Sequence, residues 1–122
     1  MLAKYWSVPL FALALLAFSA HGPARADQQQ FVVTYVEFLP ADEDRGGQFL
    51  EQLAALGRAN GAVSFTANQE IQRANFFVLI EIWNDATSRQ AFENLPQTMA
   101  LLAQIQPLLE APLDERPGTL IE

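Results

Sequence analysis

The chain has 122 residues, of which 51% are apolar and 17% charged, and it contains no cysteine. This composition describes one small globular domain and excludes disordered, collagen-like and disulfide-stapled proteins. After residue 26 the chain carries five arginines, no lysine and all 14 acidic residues, a formal charge of −9. Because nucleic acids and anionic lipid surfaces are bound through clustered lysine and arginine, we expect no nucleic-acid partner.

Residues 1–26 have the pattern of a secretory signal peptide: a lysine, an apolar run over 8–18, and small residues that end with Ala26. We expect cleavage after Ala26 and export of the domain formed by residues 27–122 to the periplasm or the cell exterior. The alternative is an uncleaved anchor. However, the uncharged stretch has 16 residues and includes a proline, shorter than the ~20 residues that span a bilayer. Stable membrane insertion after cleavage is therefore not expected.

The single histidine, His21, lies in the segment expected to be removed, so residues 27–122 contain neither histidine nor cysteine. This excludes Ser-His-Asp and Cys-His catalysis, thiol redox chemistry, ordinary zinc sites and histidine-ligated haem. The available chemistry rests on carboxylates, arginine, amides, tyrosine and apolar surface. We expect neither a metal nor a cofactor.

The first half of the domain alternates between strand and helix patterns. β-Branched and aromatic residues over 31–38 predict a strand, and apolar residues at helical spacing over 48–60 predict a helix. Alternation over 62–70 predicts a half-buried strand with Val63 in its apolar row. The run over 76–83 is almost entirely apolar, so both faces of that strand must be covered.

The second half predicts helices and then an extended tail. Residues 87–90 have the spacing of a capping box, which predicts a short helix from Thr87 through Phe92. Pro96 suits the first turn of another helix that ends before Pro107. The proline-rich tail over 108–117 is predicted to be an extended linker, and 118–122 a final short strand.

This order of elements is the βαββαβ arrangement of ferredoxin-like α+β folds, in which helices cover one face of a four-stranded antiparallel sheet. The helices can cover only one of the two apolar rows of strand 76–83, so the other row needs a partner sheet. A second copy of the chain supplies it most simply. We therefore expect a two-fold homodimer whose sheets pack face to face.

Three short segments, in this order, resemble the antibiotic biosynthesis monooxygenase family: 35–40 (YVEFLP), 77–83 (FVLIEIW, with a Glu-x-Trp) and 105–109 (IQPLL). The resemblance covers about residues 31–121. It implies a dimeric α+β barrel with an apolar pocket between sheet and helices. In active members it also implies oxygenation of phenolic or quinol-like substrates without metal or flavin.

The chain departs from this family at its histidines. Members commonly carry a histidine on the helix after the Glu-x-Trp strand, where Phe92 stands here, and a Pro-His pair where Pro96-Gln97 stands. The haem-degrading branch uses an asparagine on its first strand, a histidine and a tryptophan, of which this chain matches only Trp83.

Glu81 is the candidate catalytic base, because it is the only ionisable side chain in the apolar run 76–83. An electron-rich phenolate can itself reduce O₂, which leaves the protein to accept a proton and to exclude water. The alternative is that Glu81 lies at a sheet margin, paired with one of the arginines. The candidate ligand contacts, which are alternatively core residues, are Tyr35, Phe77, Trp83, Phe92 and Met99.

Three functions remain open at this point. The first is a cofactor-independent monooxygenase that acts on a small aromatic or quinol-type substrate. The second is a dimeric module that binds a small apolar ligand without catalysis, which the missing histidines favour. The third is a structural or interaction role, in which Phe92 and its neighbours fill the pocket.

Protein recovered from the exported fraction should begin at Asp27, because the apolar run is short and ends in small residues before an acidic one. Intact-mass spectrometry checks this expectation. A mass that retains residues 1–26 would show that the segment is an anchor.

Overall fold

A computed structural model describes residues 28–121, so the segment predicted to be a signal peptide lies outside the described residues. Its four strands and three α-helices are β1 (Gln30–Glu37), α1 (Glu43–Ala59), β2 (Ala62–Gln69), β3 (Phe76–Trp83), α2 (Ala86–Glu93), α3 (Pro96–Ile105) and β4 (Asp114–Thr119). The sheet has the order β2-β3-β1-β4, and every neighbouring pair is antiparallel. The predicted ferredoxin-like βαββαβ fold is confirmed.

Alternation along β3 divides the sheet into a covered face and an open face. Phe77, Leu79, Glu81 and Trp83 are buried beneath the helices, whereas Ile80, between two of them, is 41% exposed on the other face. β1 follows the same period, because its register with β3 places residues of like orientation opposite each other. The eight residues of β3, seven of them apolar, therefore supply one row to the core and one row to the open face.

Helix α1 lies close against the covered face because its contact positions are small. Its buried residues Leu50, Leu53, Ala54 and Gly57 follow the helical spacing i, i+3, i+4 and i+7. A Cβ atom on Gly57 would collide with the ring of Phe65 on β2. Glycine at this position therefore sets the short distance between α1 and β2.

The prediction of a linker over 108–117 followed by a strand at 118–122 is wrong. Strand β4 spans Asp114–Thr119 and pairs with β1 from Gln30↔Thr119 to Tyr35↔Asp114. Pro117 is tolerated there because β4 is an edge strand, where one side of the backbone needs no ladder partner. The ring of Phe31 occupies the space over Gly118 where a side chain would otherwise stand.

The predicted starts of two helices also differ from the structure. Helix α1 begins at Glu43, not residue 48, because a 3₁₀ turn at Pro40–Asp42 leads directly into it. The N-cap of α2 is Asp85, not Thr87, and the Asp85 carboxylate accepts the Ser88 backbone N–H at 2.7 Å. That hydrogen bond holds the pKa of Asp85 below its usual value.

Val63 leaves the apolar row in which the alternation placed it. The β2–β3 register shifts between Ala62 and Ser64, and this irregularity leaves Val63 53% exposed while Phe65 is buried. In the part of the chain that the structure describes, no helix has both the length and the apolar character needed to cross a membrane.

Candidate functional site

A cavity lies between the covered face of the sheet and the three helices, and we call it the sheet–helix cavity. Its volume is about 50 Å³, and it is partly open to solvent. Its apolar walls are Leu50, Leu53, Phe65, Leu79, Phe92, Leu102, Ile105 and Leu113. The polar side chains that line it are Thr34, Glu81, Arg89, Glu93, Thr98 and Glu115.

Four of these polar residues form one ion-pair network, which we call the Arg89 cluster. The Arg89 guanidinium donates to both oxygens of Glu81, with Nε–Oε1 at 2.9 Å and Nη2–Oε2 at 3.3 Å. Its Nη1 lies 3.2 Å from a carboxylate oxygen of Glu115 and 3.2 Å from one of Glu93. The cluster therefore joins the central strand β3, helix α2 and the edge strand β4.

Glu81 is the deepest member of the Arg89 cluster. Its side chain is 3% exposed and that of Arg89 13%, whereas the side chains of Glu93 and Glu115 are nearly half exposed. The indole N–H of Trp83 also donates to Glu81 Oε1 at 2.9 Å. Both donors stabilise the ionised carboxylate. Glu81 is thus paired with an arginine, as the alternative in the sequence analysis predicted. However, it lies on a central strand and not at a sheet margin.

Arg89 stays protonated in this setting. Burial lowers the pKa of Arg89, but the hydrogen bonds and negative charges of Glu81 and Glu115 outweigh burial and raise it above its ordinary value. With three carboxylates around one guanidinium, the Arg89 cluster carries a formal charge of −2. One carboxylate can therefore take up a proton without leaving Arg89 unpaired.

A second polar feature of the cavity is a hydroxyl that lacks a partner. Thr98, in the first turn of α3, is 1% exposed, and within the described residues its Oγ1 has no hydrogen-bond partner. A buried hydroxyl without a partner costs free energy, so native structures rarely leave one. Thr98 Oγ1 is therefore a buried polar atom that destabilises this end of α3 unless a rearrangement provides it with a partner.

The structure brings only part of the predicted ligand-contact set together. Phe92 and Glu81 line the cavity, and Trp83 packs against Phe92 with 5.3 Å between ring centroids. Tyr35 lies on the open face of the sheet, because odd-numbered residues of β1 point away from the helices. The remaining two positions, Phe77 and Met99, also lie outside the cavity lining.

Phe77 and Met99 lie outside the cavity for separate physical reasons. Phe77 is in the core but packs edge-on against Phe38, 5.5 Å between ring centroids, toward the other end of β3 from Glu81. Met99 is 59% exposed, because the positions of α3 that face the core are Thr98 and Ile105. Met99 therefore lies one position beyond Thr98, the residue of that helix turn that faces the core.

Sequence reasoning missed Arg89, Glu115 and Thr98. The Arg89–Glu115 contact spans 26 residues, and no local pattern reveals a pair so far apart. One signal was present, since Arg89, Phe92 and Glu93 share a helix face at spacings i, i+3 and i+4. That face could have been recognised as half apolar and half ionic.

Several solved structures share this architecture. A candidate antibiotic biosynthesis monooxygenase from Caulobacter crescentus superposes with a TM-score of 0.75 at 15% identity, covering 84% of this chain and 99% of that one. A candidate antibiotic biosynthesis monooxygenase from Nitrosomonas europaea gives 0.73 at 10% identity, covering 78% and 92%. A conserved Bacteroides thetaiotaomicron protein, described as a possible oxidoreductase, gives 0.72 at 17% identity, covering 78% and 100%.

The chain has the antibiotic biosynthesis monooxygenase fold. No family model matches the sequence, and no curated protein matches it either. At identities this low, the likeness establishes the fold alone. Within residues 28–121, no group of three or more His, Cys, Asp or Glu side chains is arranged to hold a metal ion.

Replacing Arg89 by Met should destabilise the protein by about 3 kcal/mol at neutral pH, because Glu81 would keep a buried charge without its cation. Urea unfolding of the variant and of the wild type at neutral pH measures the effect.

Two further variants isolate the ion pair. Adding Glu81→Gln to Arg89→Met should recover most of the lost stability, as a double-mutant cycle reports for coupled partners. Arg73→Met is the matched control, because Arg73 pairs with Glu70 at the surface with its side chain 56% exposed; this change should be small. An Arg89→Met protein as stable as the wild type would show that the pair contributes nothing to the stability of the fold.

Proposed function

We propose that the protein binds a small phenol- or quinol-type molecule in the sheet–helix cavity and oxygenates it with O₂ without metal or flavin. The observation that carries the proposal is a cavity with apolar walls and one deeply buried carboxylate, Glu81, which is held by Arg89. The solved structures of the same fold that are described as monooxygenases support this class of reaction.

The reaction needs no electron donor beyond its substrate. An electron-rich phenol, such as a quinol, can reduce O₂ once it loses its proton. One oxygen atom enters the ring to give a quinone, and the other leaves as water with two hydrogens of the substrate, so that phenol and O₂ give quinone and water. The protein's tasks are to accept the phenolic proton, to fix the ring and to exclude bulk water.

Glu81 is the proposed proton acceptor. Its carboxylate has about four acceptor sites, of which Trp83 and the two Arg89 donors occupy three. A phenolic hydroxyl can use the remaining one. When Glu81 takes the proton, Glu93 and Glu115 continue to neutralise Arg89, so the transfer leaves no buried charge unpaired. The half-exposed carboxylates at the rim can then pass the proton to solvent.

We also propose that two copies of the chain associate through the open face of the sheet. This face presents a contiguous apolar surface made of Phe31, Val33, Tyr35, Phe76, Val78, Ile80 and Ile82. Arginines stack on aromatic rings at its margin, Arg116 on Tyr35 and Arg73 on Phe76. An apolar centre with a polar rim is the usual anatomy of a protein interface.

The reaction is tested by O₂ consumption with a panel of reduced quinols in metal-free buffer without flavin. The wild type should exceed the autoxidation blank, and Glu81→Gln should lose about 10²-fold or more in turnover because the base is gone. Glu81→Gln should remain folded, since Arg89 keeps two carboxylate partners. A Glu81→Gln enzyme as fast as the wild type would remove Glu81 from the mechanism.

A cavity variant separates catalysis in the cavity from reaction elsewhere. Leu102→Trp should abolish turnover by filling the cavity, whereas Met99→Trp, on the exposed side of the same helix, should leave it unchanged. If the protein binds a quinol but consumes no O₂ above the blank, it is a non-catalytic ligand-binding module and not an enzyme. Equal turnover in both variants would contradict the cavity as the reaction site.

Ile80→Asp tests self-association, because a charge at the centre of a buried interface is costly. Light scattering should give a dimer for the wild type and a monomer or aggregate for the variant. Ile71→Asp is the matched control, since Ile71 is 98% exposed in the β2–β3 loop. A dimer that persists in Ile80→Asp would show that another surface joins the subunits.

A further inference from the structure

The sheet–helix cavity is smaller than the ring that the proposed function assigns to it. Its volume is about 50 Å³, whereas an apolar cavity that admits one benzene ring has a volume of about 150 Å³. A wall of the cavity must therefore move before an aromatic molecule can enter. The wall that moves should be the one with the weakest attachment to the rest of the fold.

Most of the surrounding elements are held firmly. The strands are joined by continuous backbone ladders. Helix α1 has five buried residues, and its Gly57 lies directly against the ring of Phe65. Helix α2 is tied to β3 by the ion pair of Arg89 with Glu81, and its Phe92 is buried. These elements form a rigid frame around one remaining wall.

Helix α3 is the remaining wall, and its attachment is weak. Only two of its ten residues, Thr98 and Ile105, are buried. The helix contains no charged residue, so no ion pair holds it, and its two glutamines are exposed. Its one buried polar side chain is Thr98, whose hydroxyl has no partner among the described residues. Apolar side chains alone therefore hold α3 in place.

The two ends of α3 differ in how they are fixed. At the carboxyl end, Ile105 is fully buried, and the next turn is fixed by Leu108, which is buried and whose carbonyl accepts a backbone N–H at 2.9 Å. At the amino end, Leu95 is extended and Pro96 has no N–H, so the helix does not continue from α2. The helix can thus pivot about its carboxyl end while the end that carries Thr98 lifts from the sheet.

The buried hydroxyl of Thr98 opposes closure. With α3 against the sheet, Thr98 is 1% exposed and its Oγ1 is unsatisfied, which costs free energy. Once this end of the helix lifts, water reaches Oγ1 and the cost disappears. A valine would fill the same space without that cost, so the threonine favours the open position of α3.

We propose that α3 is a lid over the sheet–helix cavity, which opens at its Thr98 end and turns about the anchor formed by Ile105 and Leu108. The Thr98 hydroxyl raises the population of the open lid without touching the ligand. The proposal rests on the proposed function in one respect, namely that the ligand enters this cavity. The motion itself is a property of the ligand-free protein and is tested without a ligand.

Native-state hydrogen exchange, followed by NMR, measures the opening of α3. The amides of residues 100–105 should exchange through local opening, whose population does not change at low urea concentrations. The amides of β3 should exchange more slowly and only through global unfolding, whose population rises with urea. A difference in urea dependence between the two elements therefore identifies α3 as a separately moving part.

Three variants assign the opening to the Thr98 hydroxyl. Thr98→Val removes the oxygen and should slow exchange of the α3 amides about tenfold, the effect of one unsatisfied buried hydroxyl. Thr98→Ser keeps the oxygen and should exchange at least as fast as the wild type. Thr87→Val is the matched control, since Thr87 is exposed on α2, and it should leave exchange of the α3 amides unchanged.

Hydroquinone, titrated under argon to prevent oxidation, tests whether the lid controls entry. NMR detects binding at the indole N–H of Trp83, which donates to Glu81. Thr98→Val should bind hydroquinone about tenfold more weakly than the wild type, because the apparent affinity falls with the fraction of open protein. Thr87→Val should bind it as the wild type does.

The outcomes separate the lid from the proposed function. If the α3 amides exchange only through global unfolding, or at the same rate in Thr98→Val as in the wild type, the lid proposal is overturned. A buried water molecule that satisfies Thr98 Oγ1 would give the second result. Equal affinity of Thr98→Val and the wild type for hydroquinone overturns the control of entry. If α3 opens as expected but hydroquinone does not bind, the lid stands and the ligand site is overturned.

Discussion

The ion pair between Glu81 and Arg89 is the constraint on which the rest of the site depends. Glu81 stands on the covered face of the central strand β3, between Leu79 and Trp83, where an unpaired carboxylate would be prohibitively unstable. Arg89 removes that instability with a two-pronged contact from α2. The ion pair therefore helps to fix the position of α2 over the sheet, and α2 forms one wall of the cavity.

Arg89 extends this coupling beyond its own pair. Its third nitrogen reaches Glu115 on β4, a strand that contributes little apolar surface of its own. β4 is held mainly by its ladder with β1, and the contact with Arg89 ties its helix side to α2. Glu93 and Glu115 therefore form part of the cavity wall and also carry its negative charge. A substitution at either residue changes both the shape and the charge of the cavity.

An element is predictable from the sequence when its own residues determine it, and unpredictable when contacts with distant residues determine it. The boundaries of β3 are predicted correctly because eight successive residues, nearly all apolar and rich in aromatic and β-branched side chains, favour a strand. β4 is not predicted, because Asp114–Thr119 has no strand-forming composition and includes Pro117 and Gly118. It becomes a strand because β1 offers an unpaired edge, which is a tertiary cause.

The residues of the candidate site also differ in whether a local sequence signal reveals them. Glu81 is found from sequence because it interrupts an apolar run, which is a local signal. Arg89, Glu115 and Thr98 are not found, because their importance arises only when α2, α3 and β4 meet over β3. The predicted contacts Tyr35 and Met99 fail to reach the cavity for a related reason: the face on which a side chain lies is fixed by tertiary packing, and one residue along the chain changes that face in a strand and in a helix.

The two faces of β3 give this small fold two separable surfaces. Residues at odd positions from Phe77 to Trp83 form the floor beneath the helices, and residues at even positions from Phe76 to Ile82 form the open face. Side chains of neighbouring positions point in opposite directions, so they share backbone but no packing. Substitution at Ile80 therefore changes the open face while Glu81 keeps its partners Arg89 and Trp83, and assembly and chemistry can be altered one at a time although they use adjacent residues of one strand.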